Sequence, residues 1–140
     1  LDECIVQFTQ NSITQIFTDR GEDYFRNLEF EILKTLVANP RPTLIACGGG
    51  TVTFVSSLQL MVKSGFLIWL DVPIQTLYFR LVKDHFRPLI GEVSVEKLQS
   101  LYDSREQFYR TAHFKLDGAQ KPERLANQFN SLLARIHDRK

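Results

Sequence analysis

The sequence predicts an α/β fold built on a parallel sheet with helices on both faces. Three observations predict it. Two continuous apolar runs, Thr43 to Cys47 and Phe66 to Val72, have the length and composition of fully buried strands. Segments with apolar residues three and four apart precede, separate and follow them, as amphipathic helices do. The first run ends in Gly48-Gly49-Gly50 and passes into a helical pattern, a strand–turn–helix order.

Taken in order, Ser12 to Phe17 reads as a short helix or turn. Gly21 opens a longer helix carrying Phe25, Leu28, Ile32 and Leu36, closed by Asn39-Pro40. The strand expected over 43–47 lies between Pro42 and Gly48. Phe54, Leu58, Met61 and Val62 mark a helix stopped at Gly65, and the second strand follows. Pro73 suits a first helical position and opens a helix to about Lys83. The segment 84–93 holds a Pro and a Gly and reads as a mobile loop. Ser94 caps a helix to Tyr109, His113 to Leu116 is a short strand, and Pro122 starts an amphipathic helix with Leu125, Phe129, Leu132, Leu133 and Ile136.

The 140 residues suit one domain, with 44% hydrophobic and 24% charged residues, enough to close a core. A formal charge of +1 exerts no general pull on nucleic acid or membrane, and neither is expected as a partner. No stretch reaches the roughly 18 apolar residues of a membrane helix, and the first residues lack a basic-then-apolar leader, so the cytoplasm is the expected location. Cys4 and Cys47 make no disulfide framework and are expected as reduced, partly buried thiols. His85, His113 and His137 are scattered, which argues against a structural zinc site.

Ligands of parallel α/β sheets sit beyond the carboxyl ends of the strands, where the triple glycine falls. Such a triplet is either a tight turn or a corner whose amides a ligand approaches. Nearby charges point to a small anion. Glu29 interrupts the apolar face formed by Phe25, Ile32 and Leu36, and a buried carboxylate needs a partner. Arg26 is three residues earlier, although it also matches Glu22 for an ordinary surface pair worth about 0.3–0.5 kcal/mol. Arg105 lies in a stripe with Leu98, Leu101, Tyr102 and Phe108, where its guanidinium either snorkels, meets an internal acid such as Glu29, or receives an anion. Two arginines together suit one carboxylate. Arg87, held out of helical conformation by Pro88, is either a solvated loop residue or part of a lid that closes over a transferring phosphoryl group.

These motifs, in this order, resemble shikimate kinase. The likeness runs through Asp2 to Ile5, Ser12-Ile13-x-x-Ile16-Phe17, Gly21-Glu22-x-x-Phe25-Arg26-x-x-Glu29 and Gly48-Gly49-Gly50. It continues through Trp69-Leu70-Asp71-Val72, Arg87-Pro88-Leu89, Arg105-x-x-x-Tyr109 and Leu116-Asp117. The resemblance implies a fold of the P-loop NTPase type, like that of nucleoside-monophosphate kinases, and transfer of phosphate from ATP, with Mg2+, to the 3-hydroxyl of shikimate in chorismate and aromatic amino-acid biosynthesis. It implies that Asp2 orients the substrate hydroxyls and accepts a proton, that Arg26 and Arg105 clamp the carboxylate, and that Gly48, Gly49 and Gly50 line the substrate. It further implies that Glu29 supports the arginines, that Arg87 contacts the phosphates from a lid over about 84–93, and that Arg80 lies against the adenine. A plastid location follows if the source is a plant, and a monomer is expected.

The family's phosphate loop, G-x-x-x-x-G-K followed by Ser or Thr, does not occur in these residues. The strand before it and an Asp that helps hold magnesium would lie ahead of Leu1, so no metal ligand is expected in this chain. The expectation is therefore a domain lacking its first strand and phosphate loop, inactive as written, with about 30 further residues needed for an ordinary kinase length. Two alternatives stand beside the kinase: an inactive module that binds shikimate or a similar hydroxy acid, and a related P-loop kinase acting on another small polyol acid such as gluconate.

Overall fold

A computed structural model describes residues 1–83 and 94–137. They form two compact units, Leu1–Gly65 and Phe66–Lys140.

In the first unit, helix α1 (Asp2–Thr9) ends at Gln10 in a left-handed conformation. Helix α2 (Ile13–Val37) is capped by Ser12, whose hydroxyl accepts the Gln15 amide at 3.1 Å. Gly21, at φ 79° and ψ 177°, breaks α2 into the two helical pieces that the sequence predicts. That backbone region is essentially reserved for glycine, since a Cβ there meets its own chain. Ile5 from α1 and Ile16 and Phe25 from α2 are buried together, with the Phe17 ring tilted against Phe25 at 4.5 Å between ring centroids. A short 3-10 turn, Thr51–Thr53, then leads into α3 (Val55–Ser64).

The strand expected over 43–47 is not formed. Residues 42–48 have irregular backbone, and Leu44 is 76% exposed. A parallel strand exists only through its ladder, and among the described residues no segment pairs with this one. Its apolar run is therefore necessary for a buried strand without being sufficient.

In the second unit, strands β1 (Ile68–Asp71) and β2 (Phe114–Asp117) pair in parallel, Ile68 opposite Phe114 and Asp71 opposite Asp117. Helix α4 (Ile74–Lys83) follows β1, α5 (Val95–Tyr109) precedes β2, and α6 (Pro122–His137) follows it. Ser94 caps α5 as expected, its hydroxyl accepting the Lys97 amide at 3.2 Å. Alternation along the strands puts Trp69, Asp71 and Lys115 on one face. Trp69 there stacks on Tyr109 of α5 at 5.8 Å, Lys115 lies 4.4 Å above the indole, and the same ammonium pairs with Asp71 at 2.7 Å. On the other face, Phe114 and Leu116 meet Leu132 of α6 around a cleft also lined by Ser131 and Arg135. Helices thus cover both faces of this parallel pair.

No helix among the described residues is long and apolar enough to cross a membrane. The lid assigned to about 84–93 lies outside the described residues.

Because an added Cβ at Gly21 meets no neighbour within 4 Å, a Gly21→Ala variant isolates backbone strain from crowding. It should lose about 1–3 kcal/mol of stability in urea unfolding; an unchanged midpoint would mean the corner is open to any residue.

Candidate active site

The first unit gathers most of the predicted site residues. One helical turn of α2 puts Arg26 and Glu29 on the same side, i and i+3. Glu29 is 1% exposed, and both carboxylate oxygens are satisfied. Oε2 accepts Arg26 Nη1 at 2.8 Å, and Oε1 accepts the hydroxyl of Thr51, itself fully buried, at 2.6 Å. Charge-assisted bonds of this length are the compensation a buried carboxylate needs.

Both pairings that the sequence allowed for Arg26 occur at once. Its Nε and Nη2 donate to Glu22 Oε1 at 3.3 and 3.1 Å, on the exposed side of the helix. These bonds and the one to Glu29 use three of the five N–H groups of a guanidinium, leaving one on each Nη for an anion. The Arg26 side chain remains 13% exposed.

The glycine corner explains itself at Gly50. A Cβ built there would collide with Arg26 Nη2 and stand only 3.0 Å from Cζ, so the guanidinium occupies the space a side chain would need. Gly50 also turns the chain, its carbonyl accepting both the amide and the hydroxyl of Thr53, at 3.0 and 2.7 Å. Gly48 accepts the Thr51 amide at 3.1 Å. Gly48 and Gly49 are exposed, while Gly50 is buried.

Asp2 stands exposed in the first turn of α1; the residue before that helix, Leu1, donates from its nitrogen to Ala46 O at 2.8 Å. Just beyond Ala46, burial pushes the Cys47 thiol above its usual range, and the Glu29 and Asp2 carboxylates reinforce the shift. Asp2, Glu29 and Cys47 therefore share one electrostatic neighbourhood.

The other predicted residues belong to the second unit. Arg105 is partly exposed on α5, one turn beyond Tyr102 and one before Tyr109, and makes no hydrogen bond or ion pair with the described residues. Tyr102 donates to Asp71 Oδ1 at 3.3 Å, and burial followed by the Asp71 charge raises its phenol above the ordinary range. Arg80 is exposed on α4 and reaches the carbonyl of Ala119 at 3.4 Å, in the turn after β2. That turn is closed by Asp117, which accepts the Ala119 amide and the Gln120 side chain, both at 3.0 Å; the Gln120 bond and then the Ala119 amide hold the Asp117 carboxyl below its usual range. Arg87 lies outside the described residues.

Thr51 escaped the sequence reading. The available signal was a hydroxyl residue directly after the glycines, in a chain whose out-of-pattern carboxylate, Glu29, needed a partner.

A buried acid pinning an arginine against a side-chain-free corner is the arrangement expected of the class of proteins that bind a small organic anion. Comparison with known proteins agrees with that class and narrows it. The family model for shikimate kinase matches residues 1–134, and the chain belongs to the shikimate kinase family. It is 34% identical over 139 residues to the shikimate kinase of Nostoc punctiforme, spanning 97% of this chain and 76% of that protein. The crystal structure of shikimate kinase from Aquifex aeolicus superposes with a TM-score of 0.74 at 31% identity, over 95% of this chain and 77% of that one. Shikimate kinase from Acinetobacter baumannii in complex with shikimate reaches 0.85 at 28% identity, over 99% and 77% respectively. The fold is thus the P-loop kinase type that the motifs implied.

A thiol held protonated by burial and by neighbouring carboxylates reacts slowly. Alkylation of Cys47 by iodoacetamide at pH 8 should fall well below that of a free thiol and should still be rising above pH 9. A rate that levels off below pH 8 would contradict the assigned environment.

Proposed function

We propose that this protein takes part in the ATP-dependent phosphorylation of the 3-hydroxyl of shikimate, giving shikimate 3-phosphate. The observation that carries the reading is the Arg26–Glu29 pair set against Gly50, in a chain of the shikimate kinase family. An arginine whose position is imposed from behind by a buried acid has its remaining donors aimed before any ligand arrives, which favours binding of a planar carboxylate.

In this reading Arg26 and Arg105 grip the substrate carboxylate, and Gly48, Gly49 and Gly50 let the ring approach the backbone. Asp2 orients the hydroxyls and takes the proton of the attacking one, a role open to an exposed carboxylate within hydrogen-bond reach. Arg80 faces the nucleotide base and Arg87 the phosphates.

ATP supplies the phosphoryl group and Mg2+ its charge compensation when bound. The described residues contain no group of three His, Cys, Asp or Glu side chains suited to a metal ion, and the 140 residues contain no glycine–lysine phosphate loop. On the acceptor side, the roles assigned to this chain are binding, orienting and deprotonating shikimate. Residues 1–140 alone are expected to bind shikimate without transferring phosphate to it.

Titration calorimetry tests the clamp. Arg105→Ala should weaken shikimate binding by about tenfold, the scale of one hydrogen-bonded charge contact; unchanged affinity would remove Arg105 from the site. In protein that carries a phosphate loop, Arg87→Ala should lower kcat by at least about tenfold with shikimate affinity altered less than about threefold, because a lid contact strengthens as charge develops. Equal losses in both would remove the lid role.

A further inference from the structure

We propose that Thr51 is a positioning residue for the substrate-binding arginine: its hydroxyl fixes the rotation of the Glu29 carboxylate, which in turn fixes the Arg26 guanidinium. The inference rests on the reading above that Arg26 receives the substrate carboxylate.

The argument starts from the number of partners. An ionised carboxylate only accepts, and Glu29, at 1% exposure, has no water to fall back on. Arg26 Nη1 satisfies Oε2 and Thr51 Oγ1 satisfies Oε1, so each oxygen is committed to a different partner. Thr51 is held just as firmly. It is fully buried, it opens the 3-10 turn Thr51–Thr53, and its amide donates to Gly48 O at 3.1 Å. The hydroxyl therefore stands at a fixed point relative to the glycine corner.

Without that hydroxyl, Oε1 becomes a buried acceptor with no partner. The carboxylate relieves this by swinging both oxygens onto its other bonded donor, the Arg26 guanidinium. Arg26 is also held by Glu22 and lies directly against Gly50, so it has little room to follow without rotating. A rotated guanidinium, with one more N–H consumed by Glu29, has fewer donors left for substrate. Thr51 thus sets how much of Arg26 is available, without touching the ligand.

Shikimate and its methyl ester separate this role from general damage, because only the acid presents a carboxylate to the clamp. Calorimetric affinities for both are to be measured in the unchanged protein, Thr51→Val, Thr51→Ser and Arg26→Ala. Thr51→Val keeps the shape and removes the donor; the preference for acid over ester should fall about tenfold, and Thr51→Ser should restore it to within about threefold. Should Thr51→Val fail to fold, Thr51→Ala carries the same comparison. Unchanged preference in the donor-less variant, or equal weakening of acid and ester, overturns the inference. Arg26→Ala tests the underlying reading: if it keeps the preference, Arg26 does not grip the carboxylate at all. If it loses the preference while Thr51→Val retains it, the clamp stands and only the role of Thr51 falls.

Discussion

The first unit is organised around one charge, the Glu29 carboxylate, placed where a helix would ordinarily present an apolar side chain. A lone ion in that position would cost several kcal/mol. It is tolerated because α2 supplies Arg26 three residues earlier and the turn after the glycines supplies Thr51. The Thr51 bond also ties the middle of α2 to a segment more than twenty residues away, so the geometry of the glycine corner and the orientation of the helix are set together. The arrangement serves position more than stability: replacing a buried ion network by apolar residues is often neutral or better for a fold, whereas a receptor for an anion needs the arginine held in one place.

Local signals carried most of the elements. Ser94 was readable as a cap because a hydroxyl before an apolar-periodic segment has an amide to satisfy, and it accepts the expected one. Gly21 was readable as a helix boundary, and its backbone conformation supplies the reason. The misreading of 43–47 has the opposite cause. Strand formation depends on partners elsewhere in the chain, and an apolar run cannot announce whether they exist. Helix α1 went unread since eight residues with only Ile5 buried leave a faint periodic pattern.

In the site, charge out of pattern was the productive clue. Glu29 stood out because it broke an apolar face, and it is buried as that anomaly required. Arg26 was ambiguous from spacing alone, and it makes both candidate pairings, because a guanidinium has enough donors for an exposed and a buried acid together. Thr51 was silent since threonine after glycine is unremarkable; only its burial gives the hydroxyl meaning. The pairing of Asp71 with Tyr102 and Lys115 was equally hidden, being a product of strand register and of how α5 lies on the sheet.

The placement of Trp69 has a practical consequence. It is the only tryptophan of the chain and sits in the second unit between a lysine ammonium and tyrosine rings, whereas both cysteines, Cys4 and Cys47, belong to the first. Indole emission and thiol labelling therefore each report on a different half of the molecule. Followed side by side during denaturation, these two intrinsic probes distinguish a chain that melts in one cooperative event from one whose halves come apart separately.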